Sequence, residues 1–421
     1  MVKRLLLFVF LFYSSTTYAQ TIKTDVLVIG GTASGVAAAI QSARSKVKTV
    51  LLVPDATLTI IPAGNNYSIE AYRNLSFGLW GEFRDRIKEF YKTTAGYDTT
   101  YNAPLKFESY TGNAILKAIA DTVKGLTIKT NTPFTAVKKD GTGWEVSITV
   151  NGKTGLIKAK VVVDATNAGD VVTKLGLTFP PLVSFRDDGV SKLYRTSIAA
   201  GENSFVPISS VIIQDADNLF ITQKALPVNA DIKQLPIQLN LGQGVACIAA
   251  YCAFFKTDTK NLKPRIIQQE LLDFKGYLLP FADIINTDKY IRAVHQIGAT
   301  GLLKGIYKGN DLLFMPDTSV STAEIKPVLN EIYSHAFIWF DKEKPGEQFT
   351  VGNTLSLISE FTLTDPKTLQ TTLQKDWQTL YQFAKPFDAT RPITRLEFAA
   401  LVNKYLNPFA RRIDLDGNMV N

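Results

Sequence analysis

The residues best suited to chemistry in this chain form a glycine-rich turn close to its start. Residues 26–29 are a continuous apolar run, which predicts a strand buried on both faces, and the glycines that follow permit a tight turn. A helix is predicted next, and its glycine at position 35 allows close packing against the strand. The first amide groups of such a helix, together with its dipole, attract a pyrophosphate. The candidate pyrophosphate ligands are Gly30, Gly31, Thr32, Ala33, Ser34 and Gly35.

Thr32 departs from the usual glycine triplet of dinucleotide-binding turns. It occupies the middle position, where glycine normally lets the backbone approach the pyrophosphate. The strand before the turn, the alanine-rich helix after it and a second strand at residues 49–53 nevertheless supply the βαβ context that the motif requires. The alternative is a glycine-rich turn in an α/β protein that binds no ligand.

The first 19 residues have the pattern of a secretory signal. Lys3 and Arg4 precede the apolar residues 5–13, and small residues lead to Ala19, so cleavage is expected before Gln20. We therefore expect an exported protein, periplasmic or secreted, and the alternative is an uncleaved membrane anchor. No later stretch of about 20 uninterrupted apolar residues is evident, which predicts no membrane span after cleavage.

The composition is that of a soluble globular protein of two or three domains, with 421 residues, 46% hydrophobic and 20% charged. The formal net charge is +8, but the basic residues are dispersed, so nucleic-acid binding is not expected. Cys247 and Cys252 would point about 140° apart on a helix, which argues against a disulfide. His295 and His335 lie in separate segments, so no metal site is predicted, and His295 is interpreted as a structural histidine.

Further elements can be assigned as far as residue 166. Periodicity predicts a helix at residues 107–123 and strands at 126–129 and 134–137. Asn151-Gly152 is a strong hairpin signal between strands at 144–150 and 155–158. A further buried strand is predicted in the segment VVVDAT of residues 161–166, at the end of this region.

Four segments occur in the order seen in secreted bacterial FAD-dependent oxidoreductases of the glutathione-reductase-like class. They are DVLVIGGTASGVAAAIQSAR (25–44), FGLWGEFRDRI (77–87), VVVDATNAGDV (161–171) and residues 216–250. The chain resembles this family from Thr24 to about Phe255. The resemblance implies an α/β fold in which a Rossmann-like FAD-binding domain with a β-meander is followed by an α-helical C-terminal region. The implied domains are residues 20–256 and 257–421, after the signal at 1–19.

The resemblance also implies FAD as the cofactor and suggests which residues hold it. Asp164, Ala165 and Thr166 would pass close to FAD, and Asp55 would bond the adenosine ribose. Gly242, Gln243 and Gly244 would open a helix that points at the flavin ring and stabilises negative charge on the reduced flavin. Lys233 stands where the family usually has arginine, and would add positive charge there. The alternative for Lys233 is a solvated loop lysine.

Other features mark the chain as a shortened and partly degenerate member. The glycine pair that the family places against the flavin is missing from residues 57–64, and residues 170–207 are too few for a separate substrate domain. Trp80 and Glu82 are candidates to approach the flavin, with packing as the alternative for the aromatic ring. No catalytic residue can be assigned.

The region after residue 256 is predicted to be helical, with the clearest candidates at 267–279, 289–303, 328–340, 355–363 and 366–383. Thr394 and Glu397 form a capping box for a last helix. Residues 393–408 resemble the second half of an S-layer homology module, which implies contact with a cell-envelope polymer, and a plain docking helix is the alternative. No internal repeat is evident.

Two hypotheses about function follow. The first is an exported FAD-dependent oxidoreductase that moves a hydride from a small organic or sugar-related substrate to FAD. The second is a degenerate flavoprotein fold that binds a polysaccharide or a protein partner with little or no catalysis.

Overall fold

The structure is a computed structural model, and it describes residues 21–70, 77–101, 103–182, 191–201, 204–226, 231–285, 288–309 and 311–420. The predicted signal at residues 1–19 lies outside them. The strands are β1 Thr21–Ile29, β2 Thr49–Leu52, β3 Asn66–Ile69, β4 Leu105–Glu108, β5 Leu126–Lys129, β6 Phe134–Asp140, β7 Gly143–Val150, β8 Lys153–Asp164, β9 Ser197–Gly201, β10 Ser204–Pro207, β11 Leu219–Ile221, β12 Ile306–Lys308 and β13 Asp311–Leu313. The helices are α1 Ala33–Arg44, α2 Gly78–Tyr91, α3 Ser109–Asp121, α4 Asp170–Lys174, α5 Leu235–Phe255, α6 Pro264–Asp273, α7 Ile291–Thr300, α8 Thr322–Ile332, α9 Ala336–Glu343, α10 Val351–Thr362, α11 Pro366–Thr379 and α12 Arg395–Tyr405.

The largest sheet confirms the expected α/β fold. Its strand order is β5-β2-β1-β8-β7-β6, with β11 also paired to β8. Strands β5, β2, β1, β8 and β11 are parallel, and Ile29 at the end of β1 pairs with Leu52 on one side and Asp164 on the other. Strand β1 leads into the glycine-rich turn and lies between β2 and β8. Because these strands are parallel, their carboxyl ends lie at the same edge of the sheet and form one crevice there.

Strand β8 is one continuous strand of twelve residues, whereas two separate strands were expected at 155–158 and 161–166. Its first half pairs antiparallel with β7 and forms the β-meander, and its second half lies parallel to β11. The β7–β8 turn is the expected hairpin, with φ of 49° at Asn151 and 75° at Gly152, as a type I′ turn requires.

Helix α5 is the central helix of the fold. Across the described residues, it is the one helix long and apolar enough to cross a membrane, although no such run was expected, and 83% of its apolar window is buried inside the protein. The helix packs against α1 so closely that a Cβ on Gly242 would overlap the carbonyl of Ser34. Gly242 and Gly244 therefore serve helix packing in the middle of α5, a core helix, and the expectation that they open a helix is wrong.

The C-terminal helices contain an arrangement that the sequence analysis missed. The amide of Val320 donates to Ile393 O at 3.0 Å, the amide of Phe349 donates to Val320 O at 2.9 Å, and the amide of Ile393 donates to Phe349 O at 2.9 Å. These three bonds form a closed cycle. The next residue in each case caps a helix, namely Ser321 for α8, Thr350 for α10 and Thr394 for α12.

This three-armed cycle amounts to a degenerate internal repeat of an apolar residue, a hydroxyl N-cap and a helix. The expected capping box of Thr394 and Glu397 is confirmed, and Thr350 forms a second one with Asn353. The helix expected at residues 328–340 is instead two helices, α8 and α9, because the chain leaves α8 at Tyr333 in an extended conformation.

Two buried arginines join the α/β part of the chain to its C-terminal helices. Arg195 binds both carboxylate oxygens of Glu331 on α8, at 2.9 and 2.7 Å. The buried guanidinium of Arg265 donates to Arg195 O and Ala299 O and lies 4.4 Å from the ring centre of Phe409. The regions on either side of residue 256 are thus held together by the buried guanidinium groups of these two arginines. The domain division at this residue stays a prediction.

Removing the carboxylate of Glu331 should weaken this junction in a pH-dependent way. Hydrogen bonds from Arg195 lower the pKa of Glu331 from its ordinary 4.5 to about 2. A lowered folded-state pKa stabilises the protein above the unfolded-state value and loses that contribution as the pH falls from about 4.5 towards 2. We expect Glu331→Gln to cost about 2 kcal/mol at pH 7, a figure reduced for the partial exposure of the carboxylate, and almost nothing near pH 2.

Urea unfolding across this pH range provides the measurement. Glu360→Gln is the matched control, because Glu360 makes only a loose and exposed pair with Lys342 at 3.9 Å. Parallel stability curves for Glu331→Gln and the unchanged protein would contradict the role assigned to this carboxylate.

Candidate functional site

The glycine-rich turn lies at the crevice formed by the carboxyl ends of the parallel strands. Gly30 follows β1 directly and has a φ of +119°, a conformation that favours glycine. A Cβ at this position would also overlap the carbonyl of Ala165, which follows β8. Gly35 is equally restricted, because a Cβ there would overlap the carbonyl of Gly30. The backbone of the turn is therefore in direct contact with the residue that follows β8, and the start of α1 is in direct contact with the residue that follows β1.

Thr32 replaces the middle glycine, and its hydroxyl makes hydrogen bonds to the backbone on both sides. Its hydroxyl accepts from the amide of Gly35 at 3.1 Å, which makes Thr32 the N-cap of α1, and donates to Ala165 O at 2.9 Å. The departure from the glycine pattern thus stabilises the helix start and fixes it to the end of β8.

Backbone amides remain available at this helix start. Within the part of the chain that the structure describes, no hydrogen bond is donated by four consecutive amides, those of Gly31, Thr32, Ala33 and Ser34. Successive free amides at a helix N-terminus, where the dipole adds positive potential, make an anion-binding cradle. The residues present therefore fit a pyrophosphate.

The side chain of Ser34 is directed to the end of β11 instead of the cradle. Its hydroxyl lies 2.8 Å from Thr222 Oγ1 and 2.8 Å from Gln223 Oε1. Only the amide of Ser34 is left for a ligand. The hydroxyl connects α1 to the strand that returns to the sheet after residue 216, a link that no sequence pattern indicates.

Asp164 is buried and its carboxylate serves the backbone. It accepts from the amide and hydroxyl of Thr166 at 3.1 and 2.7 Å, and from the amides of Val171 and Val172 at 2.9 and 3.1 Å. Burial raises the pKa of Asp164, and these hydrogen bonds oppose the rise. Asp164 thereby holds the start of α4, and it is the backbone of Ala165 and Thr166 that lies along the crevice.

The segment after β2 also reaches this edge. Asp55 is exposed there, and its backbone oxygen accepts from the amide of Asn131 at 2.7 Å. Its role at the ribose stays a prediction. Leu58, which no motif indicated, lies within residues 57–64, where the resemblance implies a glycine pair, and its Cδ1 would be 3.3 Å from a Cβ on Gly31. Leu58 therefore covers one side of the turn.

A second helix N-terminus lies near the same edge. Gly242 packs at Ser34, while residues further along α5 and α1 line a common groove, so the two helices run in the same direction. Helix α5 begins seven residues before Gly242, at Leu235, and its first turn therefore projects about 10 Å beyond the first turn of α1. Lys233 is exposed in the short turn immediately before it. The helix dipole that the sequence analysis expects beside Gly242 therefore begins at Leu235, and the positive charge of Lys233 lies beside that helix start.

Gln243 joins four helices within the core. Its amide nitrogen donates to Gln41 Oε1 and to Phe274 O, both at 3.1 Å, and its oxygen accepts from the amide of Leu79 at 3.2 Å. Gly244 packs against the carbonyl of Ile198. The segment Gly242 to Gly244 therefore positions α5 relative to the cradle through packing.

The two residues suggested in α2 lie away from the cradle or within the core. Glu82 pairs with Arg44 at 2.7 Å, at the opposite end of α1 from Gly35. Trp80 is buried and its ring lies 5.7 Å from that of Phe83, as the packing alternative requires. The positions of these two side chains do not support a catalytic role for either residue.

The cysteines and His295 are buried structural residues, as expected. Both thiols are free, and burial raises the pKa of Cys252 to about 12. Burial lowers the pKa of His295 to about 3, so the ring is neutral, and it packs against Tyr277 and Phe281. Among the described residues, no group of three His, Cys, Asp or Glu side chains is arranged to hold a metal ion.

Comparison with known proteins supports a flavin-binding site. Residues 25–180 match the family model described as FAD dependent oxidoreductase. This segment contains the cradle, the second half of β1 and strands β2 to β8, and the match supports FAD as the cofactor. No curated protein matches the chain at a significant level.

Several solved structures match part of the chain. A p-nitrophenol 4-monooxygenase from Pseudomonas putida has 18% identity and a TM-score of 0.30, over 38% of this chain and 45% of that chain. An anhydrotetracycline hydroxylase from Streptomyces rimosus has 14% identity and a TM-score of 0.37, over 60% and 68%. A flavoprotein/dehydrogenase from Cytophaga hutchinsonii has 14% identity and a TM-score of 0.38, over 56% and 79%. The chain thus spans less than half the length of the first of these proteins.

A methyl group at Gly35 should disrupt the cradle. In Gly35→Ala the added Cβ would collide with Gly30 O and approach Ala165 Cβ to 2.8 Å, so α1 must move away from the turn. We expect FAD to bind about five- to a hundredfold more weakly, since overpacking of this kind costs about 1–3 kcal/mol. Titration with FAD, followed by flavin absorbance and fluorescence, provides the measurement.

Gly346→Ala is the matched control, because a Cβ at Gly346 would meet nothing within 4 Å. If Gly35→Ala took up FAD with the affinity of the unchanged protein, the cradle would not be the pyrophosphate site.

Proposed function

We propose that this protein is an exported FAD-dependent oxidoreductase that takes a hydride from a small organic substrate. The observation that carries the proposal is the row of four free amides at the carboxyl edge of the sheet, within a segment that matches the FAD dependent oxidoreductase model. FAD, when bound, supplies the redox chemistry. The backbone from Gly31 to Ser34 would hold its pyrophosphate, and Thr32 keeps that backbone in place.

The first turn of α5 is the protein's means of favouring reduction. Its helix dipole provides positive potential on the same edge as the cradle, and Lys233 adds a full charge beside it. A reduced flavin accumulates negative charge on its pyrimidine edge, so this potential would stabilise the reduced state. Lysine supplies the charge without the planar fork of the arginine usual in the family, so it acts by electrostatics alone.

A fold retained only for binding is the weaker reading. Its support was the set of departures from the motif, and the most prominent departure, Thr32, here caps α1 and leaves the neighbouring amides free. The close backbone packing at Gly30 and Gly35 also holds the turn in the conformation that brings these amides to the crevice. This observation favours a site kept for its anion.

For the substrate, our proposal extends to a carbohydrate-related compound of the cell envelope. The C-terminal helices include a groove of about 500 Å³ lined by Lys326, Phe337, Asp341 and Lys344. Phe337 is 60% exposed, and an exposed aromatic face beside charged groups suits a sugar polymer that carries acidic groups. Contact with such a polymer would hold the flavin domain near envelope-derived substrates.

The charge of Lys233 can be tested through the potential of the bound flavin. Lys233→Met should make reduction harder, by about 30 mV or more for the two-electron couple, while Lys233→Arg should keep the original potential. Spectroelectrochemical titration of the FAD-loaded protein gives the value. Lys375→Met, at an exposed lysine on α11, is the control for loss of a remote charge. An unchanged potential in Lys233→Met would assign Lys233 to the solvated loop alternative.

Export can be tested on protein recovered outside the cytoplasm. The mass should correspond to a chain that begins at Gln20, because cleavage is expected after Ala19. Both cysteines should react with an alkylating reagent after unfolding and resist it in the native state, because Cys247 and Cys252 are free and buried. A chain that retains Met1 would instead indicate an uncleaved anchor.

A further inference from the structure

The sheet edge opposite the cradle carries exposed apolar side chains. Helix α5 ends there, and its last turn leaves Phe254 63% and Phe255 56% exposed, while α6 leaves Ile266 43% exposed. Together with Tyr251 and Phe274, these residues line an open groove of about 450 Å³. Large apolar side chains gathered in this way on a surface mark a contact with something that is not water.

Lysines surround this apolar group. In the part of the chain that the structure describes, five nearby exposed lysines make no ion pair, namely Lys46, Lys48, Lys256, Lys260 and Lys263. Two of the acidic side chains beside them are paired, since Asp25 binds Lys160 and Asp273 binds Arg292, both at 2.6 Å. Glu270 accepts from the hydroxyl of Ser45 at 2.9 Å, and Asp258 accepts from the amide of Lys260 at 3.1 Å, so both keep their negative charge. The five lysines outnumber these two carboxylates, and the net charge of this edge is therefore positive.

Strand β1 also begins at this edge. The ammonium group of Lys160 lies within 2.6 Å of Asp25 on β1 and 3.5 Å of the carbonyl of Ala253, the residue before the exposed aromatic pair. Thr21 at the start of β1 is exposed.

We propose that this edge, comprising Phe254, Phe255, Ile266 and the five lysines, docks on an anionic lipid bilayer. Aromatic and aliphatic side chains at the level of the headgroups, surrounded by lysines, are what such a surface binds. The lipid phosphates would neutralise the lysines that no acidic residue pairs, and the groove would receive the apolar part of the interface. The crevice with the cradle, at the opposite edge, would then face away from the bilayer and stay open to solutes.

A second copy of the chain fits this edge less well. Two copies related by a two-fold axis would bring the same surface together, and the unpaired lysines of one copy would then face those of the other. Like charges opposed in this way destabilise a contact. The bilayer is the occupant whose charge complements the edge.

Sedimentation with vesicles tests the proposal on the purified full chain, whose N-terminal residue is first identified by mass spectrometry. The probes are vesicles of phosphatidylcholine alone and of phosphatidylcholine with phosphatidylglycerol. We expect binding only to the anionic vesicles, with about a tenfold or greater loss in Phe254→Ser/Phe255→Ser and in Lys48→Glu/Lys263→Glu. High salt should produce a similar loss.

Matched controls separate this edge from general stickiness and from residues 1–20. Tyr110→Ser removes an exposed aromatic side chain on α3, and Lys367→Glu/Lys375→Glu makes the same charge change on α11. Both should bind as the unchanged protein does, and circular dichroism verifies that every variant is folded. Equal binding by all variants would overturn the proposal. So would a concentration-dependent dimer that the Phe254→Ser/Phe255→Ser change dissociates.

Discussion

The contact of backbone against backbone around α1 is the constraint on which the rest of the structure depends. The helix must approach the turn after β1 at Gly35 and the long core helix α5 through Gly242, and neither approach leaves room for a Cβ. A helix held this close on two sides cannot shift, so its first amides stay fixed at the crevice while α5 projects its own first turn past them. The cradle and the second positive helix terminus are therefore consequences of one packing arrangement.

The same constraint explains how the chain tolerates its departures from the usual motif. Because α1 is positioned by glycine packing, the middle position of the turn is free to carry a hydroxyl, which then caps the helix and contacts the end of β8. Asp164 keeps the neighbouring α4 in place from below the surface of the crevice. Polar side chains here support the backbone, and the backbone is what faces a ligand.

The local parts of the fold could be predicted from the sequence, and the parts set by distant contacts could not. The apolar run, the turn glycines and the Asn151-Gly152 hairpin each act within a few residues, so their interpretation carried over to the structure. The glycines in the segment Gly242 to Gly244 are compatible with a helix start and also with a close contact between two helices. Only the position of α1 decides between these two interpretations. The three-armed cycle was invisible because its partners lie up to 73 residues apart, as Val320 and Ile393 do, and share only an apolar residue and a hydroxyl.

That cycle also imposes an order on biosynthesis. Its first two members, Val320 and Phe349, can join as soon as both have left the ribosome, but the ring is complete only when Ile393 supplies its carbonyl and amide. A nascent chain that ends before that residue has two arms and two unsatisfied backbone positions where the third should insert. Ile393 is thus the closing piece of the ring, and a truncation that removes it opens a ring rather than trimming a tail.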